Sequence, residues 1–506
     1  MKRPAYFLVL LVLSLSAVYL PGSTTSSHLL WQSRVDPWIL EHAQAGKTEF
    51  LIFLSQQADL SGAATLPTKQ EKGKYVYESL HALAEKSQKP ILDELTGLGM
   101  DYQSFWIANM IWASGDLSEI QAIASMKEVA HLYANPRVHF EEPEPFVKTE
   151  LQSPSGLEWN IHLVNADDVW AAGFTGQGVV IGGADTGYDW THPALKNQYR
   201  GWDGTTADHN YNWHDAVHAD ITGGGNSCGF NLMEPCDDSS HGTHTMGIMV
   251  GDDGAGNQIG MAPGARWIGC RNMEDNTGTP ATYSECYQWF MAPTDLNNAN
   301  PDPSKSPDVI NNSWSCLTSE GCTDPNILLT VVNNVRQAGI LTVHSAGNKG
   351  PTCSTIGYAA GMYDASFTVG NTTMDDVIYS SSSRGPVTAD GSGRIKPDIS
   401  APGTEILSSI PGGYAKASGT SMAAPHVAGL AALLISAHPQ LAGQVDQIEY
   451  IITRSARHLT TSDGCGGLPA SAIPNNTYGW GRIDAWAAYQ FKHFYYFPSI
   501  YRQDGF

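Results

Sequence analysis

The stretch from residue 419 to residue 439, GTSMAAPHVAGLAALLISAHP, constrains the fold more strongly than any other part of this sequence. From residue 427 to residue 437 nearly every side chain is small or aliphatic. A helix of this composition has no polar face, so it must be buried on all sides. Pro425 is compatible with a helix only near its first turn, where its missing N–H has no intrahelical partner to lose.

Ser421 is therefore expected at or just before the N-terminus of a buried helix. Free backbone N–H groups and the positive end of the helix dipole meet at this place, and they stabilise negative charge. A serine before a helix is most often an N-cap. A catalytic role for Ser421 therefore requires support from the rest of the sequence.

Length and composition bound the class of protein. At 506 residues the chain exceeds the usual size of one domain, and 42% hydrophobic residues allow a large core. The net charge of −22 argues against a nucleic-acid partner, because binding phosphate requires a basic surface. We expect a soluble protein with two or more units.

The N-terminus has the pattern of a secretory signal. Lys2 and Arg3 precede an apolar run from residue 6 to residue 20, and small, turn-forming residues follow. This run is too short for a comfortable membrane span, although an uncleaved anchor is the alternative. The sequence therefore predicts a signal peptide over residues 1–22, secretion, and no membrane association after its removal.

The eight cysteines all lie beyond residue 225. An even number of cysteines in an exported chain favours disulfides over free thiols. The preferred pairs flank short segments: Cys228–Cys236, Cys316–Cys322 and Cys270–Cys286. The sequence does not decide the connectivity. A zinc site is the alternative, but no CxxC pair exists, and His241 and His244 lack the glutamate of HExxH.

Two regions of different texture follow the signal. Residues 29–150 contain the strand-like runs FLIFL (50–54) and FWIANMIWAS (105–114) and two stretches of helical periodicity, which predict a small α/β sandwich. A linker rich in proline and acid follows. From residue 157 onward, continuous apolar runs alternate with helical segments, which predicts a parallel sheet covered by helices on both faces. These runs are VVIGGAD (179–185), DVIN (308–311), GILTVHSAGN (339–348) and SFTVGN (366–371).

Four chemically active residues lie at predicted strand or helix ends. Asp185 and Asn348 each end a strand-like run, His241 opens HGTHTMGIMVG, and Ser421 precedes the apolar helix. Each has an ordinary structural explanation alone: a turn residue, a surface histidine, or a cap. Together they bring an acid, a base, an amide donor and a hydroxyl to one rim of the sheet, where function collects in such folds.

These residues lie in motifs that resemble those of the subtilisin-like serine proteases (subtilases), in that family's Asp…His…Ser order. The motifs are DTGYDWTHPAL, SHGTHTMG, GMAPGARW, DVINNSW, HSAGN, KPDISAPG, SGTSMAAPHVAG and YGWGRIDAW. The resemblance covers roughly residues 157–490 and is closest to the bacillopeptidase F type. It implies a subtilisin-like, mostly parallel α/β sheet preceded by a small ferredoxin-like α/β propeptide.

The resemblance also implies a domain organisation and an activity. Residues 29–150 would be an inhibitory propeptide, 155–491 the catalytic domain, and 492–506 a short aromatic tail that packs on it or serves as a sorting signal. We expect a secreted serine endopeptidase, made as a self-processing zymogen and acting as a monomer. Its expected partners are protein or peptide substrates and its own propeptide, and its chemistry needs no cofactor.

The family's residue roles carry over to matching positions. Ser421 would be the nucleophile, His241 the general base, Asp185 the residue that orients His241, and Asn348 the oxyanion donor. Small residues in the implied specificity pocket favour a large apolar or aromatic P1 side chain. Ser315 replaces a usual glycine, and the Cys316–Cys322 loop beside it narrows the expected cleft. The implied substrate-binding residues are Ser313, Trp314, Ser315, Ser345, Ala346, Gly347 and Gly357.

Metal binding is open at this point. Structural calcium is common in the family, but Ala194 stands where one aspartate ligand is usual. Asp252 and Asp253 are either ligands of another calcium site or a solvated acidic turn. The insert at 199–227 is either a metal site or a decorated surface loop. Its histidines, with one just upstream, are His209, His214, His218 and His192.

Two other functions compete with the protease. The first is a serine hydrolase with a GxSxG elbow, in which Asp446 and His458 would complete the triad. It places Ala423 where the last glycine should be, and it leaves Asp185 and His241 unexplained. The second is a non-catalytic binding protein on a subtilase scaffold, which the presence of all four chemical residues disfavours.

Overall fold

A computed structural model describes residues 31–140, 146–149 and 156–492 of the chain. The predicted signal peptide, residues 1–22, lies outside the described residues, and so does the C-terminal tail beyond residue 492. We call residues 31–140 the N-terminal unit and residues 156–492 the main unit. The exact domain boundaries remain predictions.

The N-terminal unit is a four-stranded antiparallel sheet with helices, in the strand order β2-β3-β1-β4. Its elements are α1 (Pro37–His42), β1 (Thr48–Leu54), α2 (Lys69–Ser87), α3 (Lys89–Leu98), β2 (Asp101–Phe105), β3 (Met110–Gly115), α4 (Leu117–Ala124) and β4 (Val129–Ala134). The predicted α/β character of this region is confirmed. Capping boxes at Thr68–Glu71 and Asp116–Glu119 start α2 and α4.

Two local predictions in this unit differ from the structure. The run 105–114 is not one strand but contains the end of β2, a turn and most of β3, and Asn109 adopts a positive φ of 45° in the turn. The helical stretch after residue 73 is two helices, α2 and α3. Pro90 lies in the first turn of α3 and cannot continue the preceding helix.

Three short strands connect or flank the two units, and the main unit follows. The short strands are β5 (Val138–His139), β6 (Val147–Thr149) and β7 (Gly156–Leu157). The main unit comprises α5 (Trp159–Leu163), α6 (Ala166–Ala171), β8 (Val180–Asp185), α7 (Pro193–Lys196), β9 (Trp213–Asp215), α8 (His241–Val250), β10 (Asn257–Gln258), β11 (Arg266–Arg271), β12 (Met273–Glu274), β13 (Thr277–Gly278), α9 (Pro280–Met291), β14 (Val309–Asn312), α10 (Leu329–Gln337), β15 (Leu341–Ser345), β16 (Phe367–Thr372), β17 (Ile399–Pro402), β18 (Ile406–Ile410), β19 (Gly413–Ala417), α11 (Thr420–Ala437), α12 (Val445–Arg454) and α13 (Ala485–Tyr489).

The main sheet is parallel, as the apolar runs predict. Within the described residues its seven strands have the order β17-β16-β15-β14-β8-β11-β9, and every pairing is parallel. Strands β8, β14, β15 and β16 fall on the four predicted runs. Their carboxyl ends meet at one edge of the sheet, where parallel α/β folds place their sites.

Helix α11 lies in the core against this sheet. Nearly all of its residues are buried, including those on every side of the helix axis, as its composition predicts. Among the described residues it is the one helix long and apolar enough to cross a membrane, but it is packed inside the protein. Its position brings the first turn of α11 to the carboxyl edge of the sheet.

Four disulfides cross-link the main unit. The three predicted pairs, Cys228–Cys236, Cys270–Cys286 and Cys316–Cys322, are confirmed. The remaining two cysteines form Cys353–Cys465, which spans a sequence separation of 112 residues. No cysteine is free.

The sheet of the N-terminal unit packs on α9 and α10. Apolar side chains from both units form one cluster there. Hydrogen bonds surround it: Gln288 Oε1 accepts the backbone N–H groups of Trp106 (2.7 Å) and Ile107 (3.1 Å). Asn334 Nδ2 donates to Ile107 O (2.6 Å), and Ala281 N donates to Asn135 Oδ1 (2.9 Å). Side-chain amides thus bind the backbone of the opposite unit.

A second contact lies at the start of α2. Lys69 Nζ donates to Ser306 O (2.8 Å) and to Asp308 Oδ1 (2.9 Å), and Lys69 is only 9% exposed. Asp308 Oδ2 accepts Val180 N (3.0 Å), so this carboxylate joins the starts of β14 and β8 to the N-terminal unit. Close by, Lys72 Nζ donates to Gly443 O (2.7 Å). The two units therefore hold each other at two separate places.

Candidate active site

Asp185 and His241 form a buried hydrogen-bonded pair. Asp185 is the last residue of β8, and His241 is the first of α8. His241 Nδ1 lies 2.6 Å from Asp185 Oδ1, and the side chains are 0% and 1% exposed. The carboxylate also accepts Thr186 N (2.8 Å) and Thr245 Oγ1 (3.2 Å). Because a carboxylate only accepts, His241 Nδ1 carries the hydrogen, and Nε2 is the basic nitrogen of the neutral ring.

Gly242 allows α8 to begin directly against the end of β8. A Cβ atom on Gly242 would lie 2.1 Å from Gly187 O and 3.1 Å from the Cβ of Asp185. The first of these distances is too short for any residue with a Cβ atom. The close approach sets the position of His241 beside Asp185.

Asp237, which the sequence analysis did not identify, fixes the start of α8. Its carboxylate accepts Ser240 N (2.9 Å), Thr243 N (2.9 Å) and Thr186 Oγ1 (2.8 Å). Burial raises the pKa of Asp237, and these hydrogen bonds oppose the rise. The sequence has two aspartates and two serines just before His241, and such residues are typical of a helix start.

Ser421 is the second residue of α11 and is 2% exposed. The N-cap position belongs to Gly419, without a side-chain capping bond, so the explanation of Ser421 as an N-cap is wrong. Its Oγ lies 3.4 Å from Ser313 O, which is a weak contact. The hydroxyl is therefore held in the first turn of a buried helix without serving as its cap.

Pro425 lies in the second turn of α11 rather than the first. Its missing N–H would have bonded the carbonyl of Ser421, four residues earlier. Ser313 Oγ donates to this carbonyl instead (3.0 Å). Pro425 thus frees an acceptor on Ser421, and the residue that follows β14 uses it to position the first turn of α11.

Asn348 follows β15 and is linked to the residue before Ser421. Its Oδ1 accepts both Thr420 N (3.0 Å) and Thr420 Oγ1 (3.0 Å). Thr420 Oγ1 in turn accepts Gly347 N (3.0 Å). The two hydrogen bonds to Oδ1 therefore fix the orientation of the Asn348 side-chain amide. Its Nδ2 is buried and has no hydrogen-bond partner in the part of the chain that the structure describes.

The tail of the N-terminal unit lies across this site as an extended strand. β5 pairs antiparallel with β13, in the register His139 opposite Thr277, and Phe140 N donates to Asn276 O (2.8 Å). The ring of Phe140 lies 5.0 Å from the ring of His241. The sequence analysis did not identify β13 as a binding strand.

The predicted substrate-binding residues gather at the ends of β14 and β15. Trp314 is buried and stacks on Tyr283, with ring centroids 3.9 Å apart. Among the described residues, β5 pairs with β13 and not with the segment 313–315. The other predicted residues in these two segments are also buried: Ser313, Ser315, Ser345, Ala346 and Gly347.

Tyr358, the residue after Gly357, packs against Gly347. A Cβ on Gly347, which has a φ of 90°, would overlap the hydroxyl of Tyr358 at 1.4 Å. Tyr358 is buried, and burial raises the pKa of its hydroxyl.

The histidines of the insert do not form one cluster. His209 contacts Tyr199 OH (2.9 Å), and His192 contacts Gly413 O (2.9 Å). His214 and His218 both contact the buried carboxylate of Glu285, at 2.8 and 2.9 Å. Within the described ranges no group of three or more potential ligands is placed to hold a metal.

Asp253 is bound by its own turn. It accepts the backbone N–H groups of Ala255 (2.8 Å) and Asn257 (3.0 Å). Burial raises its pKa, but these hydrogen bonds outweigh burial and lower it overall. Structural calcium remains a prediction.

The alternative triad is not assembled. Asp446 forms an ion pair with Arg336, and His458 is exposed. The carboxylate that holds a histidine beside the first turn of α11 is Asp185. The geometry favours the Asp185 and His241 arrangement over a GxSxG elbow.

Comparisons with known proteins agree with this geometry. The sequence profile of the Subtilase family matches residues 176–481. The chain is 35% identical to Bacillopeptidase F of Bacillus subtilis over 477 residues, which is 87% of this chain but 31% of that protein. It is 29% identical to Subtilisin E of Bacillus subtilis over 395 residues, covering 77% of this chain and 87% of that protein. A subtilisin of Bacillus pumilus is 31% identical over 286 residues.

The profile covers more than half of the chain and contains Asp185, His241, Asn348 and Ser421. The parallel sheet and the buried carboxylate–imidazole pair at its carboxyl edge are those expected from the sequence motifs. This chain belongs to the Subtilase family, peptidase family S8, whose members are serine-type endopeptidases.

Proposed function

We propose that this chain is a secreted serine endopeptidase, made as a zymogen, in which Asp185, His241 and Ser421 form the catalytic triad. The observation that supports this most is the buried Asp185–His241 pair, 2.6 Å apart, at the edge of the sheet where the first turn of α11 contains Ser421. The order and roles of these residues are those established for subtilisins.

The proposed reaction is acyl transfer. Ser421 Oγ attacks the scissile carbonyl while His241 Nε2 takes its proton. His241 then gives this proton to the leaving amine, and water later releases the acyl group from Ser421 by the reverse sequence. Asp185 keeps the hydrogen on Nδ1 and stabilises the imidazolium that forms.

The negative oxygen of the tetrahedral intermediate needs donors. Asn348 Nδ2 is buried without a partner among the described residues, and its orientation is fixed through Thr420. Ser421 N lies in the first turn of α11, where backbone N–H groups have no intrahelical acceptor. Donors fixed in advance in this way stabilise developing charge strongly.

The N-terminal unit is proposed to be the propeptide and inhibitor. Its tail occupies the site as a β-strand, with Phe140 against His241. The chain then continues to Phe146, whose ring lies 5.1 Å from the ring of His244, one turn further along α8. We therefore expect self-cleavage between residues 140 and 146.

Secretion and a monomeric state complete the proposal. The signal-like N-terminus and four disulfides favour an oxidising, extracellular setting. The acid, base, nucleophile and amide donor all come from one chain, so one copy suffices to cleave protein and peptide substrates.

The test is self-processing. The chain without residues 1–22 is expressed as wild type, as Ser421→Ala, and as Ser436→Ala, which alters the other serine of α11. We expect wild type and Ser436→Ala to yield a product beginning between residues 141 and 146, whereas Ser421→Ala stays full length. The products are identified by intact mass and N-terminal sequencing over time.

Other outcomes are equally informative. If wild type stays intact while folded and cleaves no casein, the chain is a binding protein on a protease scaffold. If Ser421→Ala is cut at the same position, a host protease is responsible, and casein hydrolysis by the purified proteins then decides the role of Ser421. Inhibition by a serine-directed sulfonyl fluoride is the confirming measurement.

A further inference from the structure

The loop closed by the Cys316–Cys322 disulfide reaches the strand that lies in the active site. Glu320 Oε1, on this loop, accepts the backbone N–H of His139 (3.2 Å). Neither Glu320 nor this contact follows from the family motifs in the sequence. The loop therefore supplies a contact to the bound strand in addition to those of β13.

The backbone N–H of His139 lies at the outer edge of β5 and needs a hydrogen-bond acceptor there. Residues of an extended strand point their backbone groups alternately to its two edges. Phe140 N bonds β13 through Asn276 O, so the N–H of His139 points to the opposite edge. No third strand pairs with β5 in the described part of the chain, and the carboxylate of Glu320 takes this position.

The loop is held firmly where this contact occurs. Gly321 has a φ of 109°, and a Cβ on it would lie 2.6 Å from Trp38 Nε1 and 2.8 Å from the Cβ of Pro136. The disulfide joins Cys316 and Cys322, which flank this loop, so the backbone beside Glu320 has little freedom. Its carboxylate is thus presented at a fixed place.

The charge of Glu320 is only partly compensated. Its Oε2 is buried and has no hydrogen-bond partner among the residues described. The positively chargeable groups that act on it are Lys349, which follows Asn348, and the ring of His139 itself. The ring of His139 is exposed and contacts Thr277 Oγ1 (3.0 Å). A carboxylate shielded from water in this way gains from a cation on the bound strand.

We propose that Glu320 positions peptide substrates by accepting the backbone N–H at the site of His139 and selects cationic side chains at that site. This inference rests on the proposed function, since it describes substrates of the same active site. It predicts that peptides with lysine or arginine at this position are preferred over those with glutamate.

The first experiment measures selection. Quenched fluorescent peptides carry the sequence of residues 135–148 with Lys, Gln or Glu at position 139, and the self-processed enzyme is titrated with a sulfonyl fluoride. We expect kcat/KM to favour the Lys peptide over the Glu peptide by about tenfold in wild type. Glu320→Gln removes the charge and brings this ratio to about one. Glu320→Ala also removes the acceptor and lowers kcat/KM for the Gln peptide by about fivefold. Ser319→Ala, an exposed position of the same loop, matches wild type.

The second experiment tests the contact without catalysis. In the full chain carrying Ser421→Ala, Glu320→Ala is expected to accelerate amide hydrogen exchange at His139 by about fivefold, whereas Glu320→Gln, which keeps an acceptor, does not. Unchanged exchange, or a Lys-over-Glu ratio that persists in Glu320→Gln, overturns the proposal. If wild type cleaves no peptide, the proposed function fails, while the exchange measurement still decides whether Glu320 binds the strand.

Discussion

The N-terminal unit contains no cysteine, whereas the main unit contains four disulfides. The N-terminal unit has a core of its own, and capping boxes start two of its helices. It attaches to the main unit through apolar packing, side-chain amides and the buried Lys69. The main unit is thus cross-linked permanently, while every contact of the N-terminal unit except the polypeptide link is reversible.

The difference concerns what each unit has to withstand. The proposed secreted protease would meet conditions that unfold and digest proteins, and covalent cross-links constrain its unfolded state. An inhibitor that must leave needs an interface whose groups water can satisfy afterwards. The side-chain amides of Gln288 and Asn334 suit this need, because an amide that loses its protein partner can bond to water instead.

The largest expected effect separates catalysis from folding. Asp185→Asn should lower kcat by about 10⁴-fold, because the amide no longer holds the correct tautomer of His241. Asp116→Asn, at the N-cap of α4 in the N-terminal unit, should leave kcat unchanged, since asparagine also caps. Steady-state hydrolysis of a chromogenic peptide measures both. A loss below about tenfold for Asp185→Asn would remove the residue from the triad.

The second largest effect is expected from removing one of the disulfides that cross-link the main unit. Replacing Cys353 and Cys465 together by serine opens a loop of 112 residues. The chain-entropy relation predicts a loss of about 4–5 kcal/mol in the free energy of unfolding of the main unit. Denaturant titration of the Ser421→Ala chain, which cannot digest itself, gives this value. A loss under about 1 kcal/mol would show that this cross-link does not stabilise the main unit.

Alanine substitutions of two asparagines, one in the active site and one at the interface between the units, compare the two regions with the same residue type. Asn348→Ala should lower kcat by about 10²–10³-fold with little change in KM, because the oxyanion loses a donor. Asn135→Ala removes an interface acceptor instead, so we expect unchanged kcat and earlier loss of inhibition. Progress curves of the self-processing chain separate the two effects. Equal effects on kcat would contradict the assignment.

A smaller effect is expected at the interface. Gln288→Ala leaves the N–H groups of Trp106 and Ile107 without their acceptor, which costs about 1–3 kcal/mol of docking free energy. The lag before activity appears should shorten by about tenfold or more. Gln490→Ala, exposed after α13, is the matched control. An unchanged lag in Gln288→Ala would show that packing alone holds the units together.

The smallest effect concerns pH. Burial disfavours protonation of His218, but hydrogen bonding and the charge of Glu285 outweigh burial and raise its pKa to about 9. A raised pKa stabilises the folded state fully below pH 6.5, and this stabilisation is lost as the pH rises through about 9. Because the ring is 37% exposed, we expect a loss of only about 1 kcal/mol between pH 7 and pH 10. Thermal unfolding measures it, and His218→Gln should flatten the curve.

The pKa of Glu285 shifts in the opposite direction from that of His218. Burial favours its neutral form, but hydrogen bonds from His214 and His218 outweigh burial and lower its pKa to about 2. Its contribution is present above pH 4.5 and is lost only as the pH falls through about 2. Gln103 Nε2 of the N-terminal unit also donates to this carboxylate (2.8 Å), so the insert histidines and the N-terminal unit share one buried anion.

The sequence predicted local features well and contacts between units poorly. The runs that became β8, β14, β15 and β16 are continuous and apolar, because strands buried on both faces need no polar alternation. The burial of α11 followed from its composition in the same way. In contrast, Lys69 and Asp308 are 239 residues apart, and periodicity carries no information about such pairs.

Within the site, the same limit applies. The four catalytic candidates lie at or near the ends of strands and helices, and the sequence signals for such ends locate them. They are Asp185, His241, Asn348 and Ser421. Glu320 ends a three-residue 3-10 helix in the Cys316–Cys322 loop, and its contact depends on where a distant strand docks. The insert histidines likewise have their partner, Glu285, on α9.

For the proposed zymogen, the contacts of Phe140 with His241 and of Phe146 with His244 have a kinetic consequence. Before the bond between residues 140 and 146 is cut, the inhibitor is present at an effective concentration that no dilution can change. After the cut it becomes an ordinary ligand, and mass action determines how much of it stays bound. β6 pairs with β19, so we expect the new end of the enzyme to stay at this strand after the cut. Cleavage therefore converts a unimolecular equilibrium into one that depends on volume, and the enzyme becomes active where it is diluted.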